Sequence, residues 1–186
     1  MSRIVSPEEF ASIFVRVAKG KEATISEAWD GPSAKYSLLL LDQEDGVLPS
    51  VAKEIALDYR REHWTVDAIM FEKRDADNFP EGWGMAEVLT LAIEHENDGN
   101  DSHYEMHKLT LYNSPLKVLI TYPAADSSEK LLWTYSDILR RADALDDFST
   151  RRRHLVIFGS KSGRIVRWES YVYRAGEFAP VEDASP

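Results

Sequence analysis

The chain has 186 residues, 44% of them hydrophobic, with 32 acidic against 22 basic side chains and a formal net charge of -10. That length predicts one domain with a single core over residues 1–186, divided into an N-terminal helical region 1–48, a core 49–176 and a loose tail 177–186. No apolar run approaches the ~18 residues of a membrane span, the polar start shows no signal-peptide pattern, and the lack of cysteine excludes disulfides, thiolate zinc sites and cysteine nucleophiles, so a cytoplasmic protein with no membrane partner is expected.

Ser6 reads as an N-cap, Pro7 as a first-turn residue and Glu9 as the far side of a capping box. Phe10, Ile13, Phe14 and Val17 then form the apolar stripe of a helix ended by Gly20. Between Lys21 and Gly46 the signals mix. The run Tyr36 to Leu41 suits a strand or a buried helix, and helix is the reading adopted. After Pro49 a second helix is expected with Val51, Ala52, Ile55 and Tyr59 inward, running to about Glu62. Trp64 to Phe71 reads as a strand, and Glu72 to Gly84, with a proline and two glycines, as a loop.

The next strand, Leu89 to Asn97, is apolar until it delivers Glu94 and Glu96. A polar turn, Asn97 to Asp101, leads to a helix over Ser102 to Tyr112, stopped by Asn113-Ser114-Pro115. A strand follows over Leu116 to Tyr122, then an amphipathic helix opened by Asp126 and Glu129 and running to about Leu145. Leu155 to Phe158 is a strand, Lys161 to Arg164 a hairpin turn, and Ile165 to Tyr173 a long edge strand. The tail from Pro180 onward is read as loose. The order of elements predicts an α/β fold with a mixed central sheet and helices on both faces, because strand-helix-strand units require crossovers between parallel neighbours.

Glu94 and Glu96 lie one residue apart in a strand, so they share a face at roughly 7 Å. Two carboxylates at the edge of a core repel and lose hydration unless hydrogen bonds, a proton or a metal compensates them. An Asp near the start of one strand, Asp67, followed by a Glu-x-Glu at the end of the next, then a helix and a buried strand, resembles the PD-(D/E)XK nuclease superfamily over roughly Glu54 to Phe158. The resemblance implies a restriction-endonuclease-like core and a Mg²⁺- or Mn²⁺-dependent nuclease. In it Asp67, Glu94 and Glu96 would stand at the acidic positions, Asp67 and Glu94 as metal ligands joined by the carbonyl of His95, and Glu96 as a further ligand or the group that orients the water. The usual lysine of the motif is replaced by Glu96, and Val66 rather than proline precedes Asp67. Some members of the superfamily place the lysine on the following helix, which makes Lys108 its counterpart and the fourth catalytic candidate.

Those residue types suit phosphodiester hydrolysis. Hard divalent cations prefer carboxylate oxygens, activate water and offset the charge developing at phosphorus, while an ammonium adds electrostatic stabilisation or helps deprotonate the water. Glu54 is a weaker fourth carboxylate, and Trp83 a candidate for lining a cleft. The acidic balance argues against nucleic acid, yet residues 151–186 carry seven basic against four acidic side chains. Arg151, Arg152, Arg153, Lys161 and Arg164 are therefore the expected phosphate-facing surface. Dimers are common in that superfamily, so a homodimer is a further expectation. His103 and His107, four apart on a helix with His95 near in sequence, form a rival zinc pair. A catalytically inactive protein of the same fold that binds a partner is the alternative function.

Overall fold

In a computed structural model the described residues are 3–73 and 87–182. Ser6 accepts the backbone N–H of Glu9 at 3.0 Å, which starts α1 (Pro7–Gly20) where the capping box places it. Three shorter helices follow: α2 (Glu22–Trp29), α3 (Ser33–Leu41) and α4 (Val47–Glu54). Tyr36 to Leu41 is thus helical, as read.

The helix expected to run to Glu62 is not one helix. It ends at Glu54, and Asp58–His63 is a strand, β1, paired antiparallel with β2 (Val66–Lys73). The stop is made by Ala56 at φ 57, whose N–H donates to the Lys53 carbonyl while that of Leu57 donates to Ala52 at 2.9 Å. This is a left-handed helix cap that glycine usually occupies, and an alanine there gives no signal in the sequence.

The remaining elements are β3 (Glu87–Glu96), α5 (Ser102–Thr110), β4 (Leu116–Thr121), α6 (Ser128–Ala142), β5 (Arg153–Ser162), β6 (Ile165–Arg174) and β7 (Glu177–Pro180). The expected loop Glu72 to Gly84, with Trp83, falls largely outside the described residues, as does the end of the expected loose tail.

The seven strands of the described residues form one sheet in sequence order. β3, β4 and β5 are parallel and the outer pairings are antiparallel. The Ile165 to Tyr173 segment is not an edge strand: β7 pairs with its outer side through Tyr173↔Phe178 and Val172↔Ala179. The chain is therefore an α/β protein with a mixed sheet. Helices α1 to α4 pack on one face, where Phe10, Phe14, Leu40, Leu48 and Val51 meet Leu91, Ile93, Val118 and Ile157. Helices α5 and α6 cover the other, where Met106, Leu109, Tyr135 and Leu139 meet Ala92, Leu119 and Val156. The N-terminal helices are thus part of the main core. No described helix is long and apolar enough to cross a membrane.

Candidate functional site

Alternation along β3 decides which way the acids point. Leu91 and Ile93 face α1 to α4 and Ala92 faces α5 and α6, so Glu94 turns toward α5. On β2, Ile69 and Phe71 pack with Tyr112 at the end of α5, and Asp67 shares their face. The pairing Ala68↔Ile93, carried one step further, sets Asp67 opposite Glu94. Asp67 is fixed by the backbone N–H of His95, which donates to its Oδ2 at 2.8 Å.

Glu94 is fully buried. Its Oε1 lies 2.9 Å from the Lys108 ammonium, and its Oε2 has no hydrogen-bond partner among the described residues. Burial pushes the Glu94 carboxyl up to about 9; Lys108 opposes this, while Asp67 and Glu105 add to it. For Lys108, burial pulls downward, but the Glu105 and Glu94 carboxylates outweigh it and hold the ammonium above its ordinary range. Lys108 touches both acids, Glu105 lying one helical turn before it. The site is a buried carboxylate, a half-buried carboxylate across the ladder, and a lysine bridging to a third acid at the mouth.

Glu96 is not drawn into this group, since its Oε1 accepts the backbone N–H of Asp98 at 2.8 Å. Glu54 lies elsewhere, paired with Arg16 of α1 at 2.5 Å. Nor do Arg152, Arg153, Lys161 and Arg164 gather at the carboxylates. Arg152 pairs with Asp147 at 2.7 Å and stacks on Phe148, Arg153 donates to the Val5 carbonyl, and Lys161 reaches Asp30 and the Ser26 carbonyl on the opposite face. Arg164 lines a cavity of about 730 Å³ with Lys161, Glu22 and Asp30. Of the rival zinc candidates, the His103 Nδ1 donates to the Asn100 carbonyl at 2.8 Å, His107 is exposed on α5, and His95 turns to the other face to meet the Tyr122 hydroxyl at 2.8 Å. Among the described residues no three histidine, aspartate or glutamate side chains converge as a metal cage.

Sequence reasoning did not single out a second buried polar group. Lys117 and His154 are fully buried register partners on β4 and β5, and neither ring nitrogen of His154 has a hydrogen-bond partner among the described residues. A lone lysine and a lone histidine within apolar strand runs were the available signal.

No family model matches the sequence, and no curated protein matches it. Among solved structures, the central domain of yeast acetyl-CoA carboxylase is similar with a TM-score of 0.43 at 13% identity; the match covers 94% of this chain and 34% of that one. The chain thus spans about a third of that structure's length, and a superposition this loose says nothing of function.

Proposed function

We propose that the protein is a divalent-metal-dependent nuclease whose site is built on Asp67, Glu94 and Lys108. The observation that carries this reading is the fully buried Glu94, with one oxygen unpartnered among the described residues and Asp67 beside it. A buried carboxylate with an orphan oxygen needs a cation or a proton. Two carboxylates suit Mg²⁺ or Mn²⁺, which are commonly held by one or two such groups, with water and substrate phosphate oxygens completing the shell. A bound ion would polarise a phosphodiester and generate a hydroxide-like nucleophile.

The chain's own residues have separable roles. Glu94 and Asp67 would hold the cation, the His95 backbone N–H keeps Asp67 turned toward Glu94, and Lys108 would supply positive charge where a phosphate would gain negative charge. Glu96 sits one step outward, tied to its own turn. The test is incubation with labelled single- and double-stranded DNA and RNA in Mg²⁺, Mn²⁺ or chelator, with Glu94→Gln as control. Metal-dependent cleavage that Glu94→Gln abolishes is expected; cleavage unaffected by it would remove these residues from the mechanism.

A second reading, an inactive protein of this architecture that binds a partner, is favoured by one feature: Lys108 already compensates Glu94. Calorimetry in which Mg²⁺ and Mn²⁺ give no binding heat, together with no cleavage, would support it.

A further inference from the structure

Lys108 has two anionic partners at different depths. Glu94 is enclosed beneath α5, with 1% of its side chain exposed; Glu105 lies less deeply, with 23% exposed although the Oε2 that meets Lys108 is itself buried, and the lysine between them has 30% exposed. Asp67 and Glu105 both act electrostatically on Glu94. One ammonium serves two of these three acids, and Glu94 Oε2 is left without a hydrogen-bond partner among the described residues. Any divalent cation on Glu94 would come within a few ångströms of the ammonium now at Oε1, where like charges repel strongly away from bulk water.

Resting on the nuclease reading above, we infer that Lys108 is a displaceable internal cation and that Glu105 is its outer seat: a metal ion on Glu94 and Asp67 expels the ammonium from Glu94, and Glu105 keeps it at the mouth of the site. Glu105 is then a positioning residue. It does not touch the metal; it sets how readily Lys108 leaves Glu94 and where the ammonium waits for a phosphate. The helical spacing makes this inexpensive, because residues three apart lie on one face and a lysine needs only a rotamer change to trade one acid for the other.

The experiment is a Mn²⁺ titration read by the spin-resonance signal of free Mn²⁺, on the parent and on Lys108→Met, Lys108→Gln, Glu105→Gln, Glu105→Asp and the Glu105→Gln/Lys108→Met double variant, each checked for folding by circular dichroism. Removing the competing ammonium should tighten Mn²⁺ binding about tenfold, within the usual range of coupling between neighbouring sites. Glu105→Gln should weaken it several-fold, since Lys108 without its outer seat holds Glu94 more firmly, and Glu105→Asp should restore most of the loss. In the Lys108→Met background Glu105→Gln should have no effect. An equal loss in both backgrounds would make Glu105 a metal ligand and overturn the inference, as would unchanged or weaker binding in both Lys108 variants. Absence of Mn²⁺ binding in every protein, Lys108 variants included, would instead overturn the metal reading of Asp67 and Glu94 itself.

Discussion

Lys117 gives the sharpest test of the packing. It lies fully buried in β4, its Nζ donating to the Ser114 carbonyl at 2.9 Å and standing 5.8 Å from the Phe148 ring centre. The ionisable groups around it are His154, Arg152, Asp147 and Asp143. Burial, then Arg152, pull its amine from the ordinary 10.5 down to about 7, against weaker upward pulls from Asp147 and Asp143. A gap of that size corresponds to roughly 5 kcal/mol against the charged form in the folded state. Because the folded value lies below the unfolded one, the unfolded chain holds the extra proton between about pH 7 and 10.5, and stability rises with pH across that window. Below it the penalty is complete and flat.

Lys117→Met removes the amine, keeps an unbranched chain of similar length, and gives up one hydrogen bond worth ~1 kcal/mol. The variant should exceed the parent in stability by about 3 kcal/mol at pH 7 and by roughly 1 kcal/mol at pH 9, with no gain left at pH 10. Urea unfolding at pH 6, 7, 9 and 10 measures this, provided the m-value is unchanged. A difference that stays constant over this range would show that Lys117 has the same protonation in both states. A variant less stable than the parent at pH 6 would refute the buried-amine argument outright.

Glu94→Gln should raise the melting temperature of the metal-free protein by removing a buried carboxylate with an oxygen unpartnered among the described residues, while abolishing metal-dependent cleavage; a fall in melting temperature would mean that the Lys108 ion pair outweighs burial. Gly159→Ala should cost about 1–3 kcal/mol, because a Cβ there would lie 2.5 Å from the Tyr122 ring and 2.9 Å from that of Trp168; a neutral effect on the urea midpoint would show that those rings yield freely. His154 is held well below its ordinary 6.5 by burial, then by Lys117 and Arg152. The unfolded chain therefore gains a proton there that the folded chain refuses, and stability falls as pH drops through about 6.5. His154→Leu should flatten that part of the profile; an unchanged acid limb in denaturant titrations would assign it to other groups.

Where side-chain periodicity and caps act locally, the elements were legible: Ser6 with Glu9, the stripe of α6, and the apolar runs of β4 and β5. The boundaries that failed share a cause, a backbone conformation carried by an unsuited residue. Ala56 holds the left-handed cap of α4, and Trp64, at φ 58, occupies the two-residue turn joining β1 and β2 where Asn-Gly or a similar pair usually announces a hairpin. With both signals missing, Asp58 to His63 looked like more helix. β7 is four residues long and contains a proline, so only its pairing with β6 identifies it. At the candidate site, strand alternation made the pair Glu94 and Glu96 legible, whereas Asp67 and Lys108 were singled out by the resemblance, and the structure places Asp67 across the ladder from Glu94 and Lys108 against it. The departure of Glu96 was not legible, because it depends on the chain turning at Asp98 to offer an N–H.

The convergence of three residues so far apart in sequence follows from the two kinds of pairing that β3 makes. Its antiparallel pairing with β2 brings the start of one strand to the end of the other, so an acid just after the β1–β2 turn must meet an acid two residues before the end of β3. Its parallel pairing with β4 forces the chain to return the length of the sheet through α5, which therefore begins at the same end and runs back over the strand. Lys108 lies six residues into α5, about 9 Å along its axis at 1.5 Å per residue. Glu94 lies two residues inside β3, about 7 Å back at 3.3 Å per residue. The two depths match, which is why the ammonium of α5 reaches the carboxylate of β3 at 2.9 Å. Moving the lysine one position along α5 would rotate it by about 100°, so Lys108→Ala with a lysine restored at position 107 or 109 leaves Glu94 without its counter-ion. The reach belongs to the register between helix and strand, and a lysine on the strand itself is not needed to bring positive charge to Glu94.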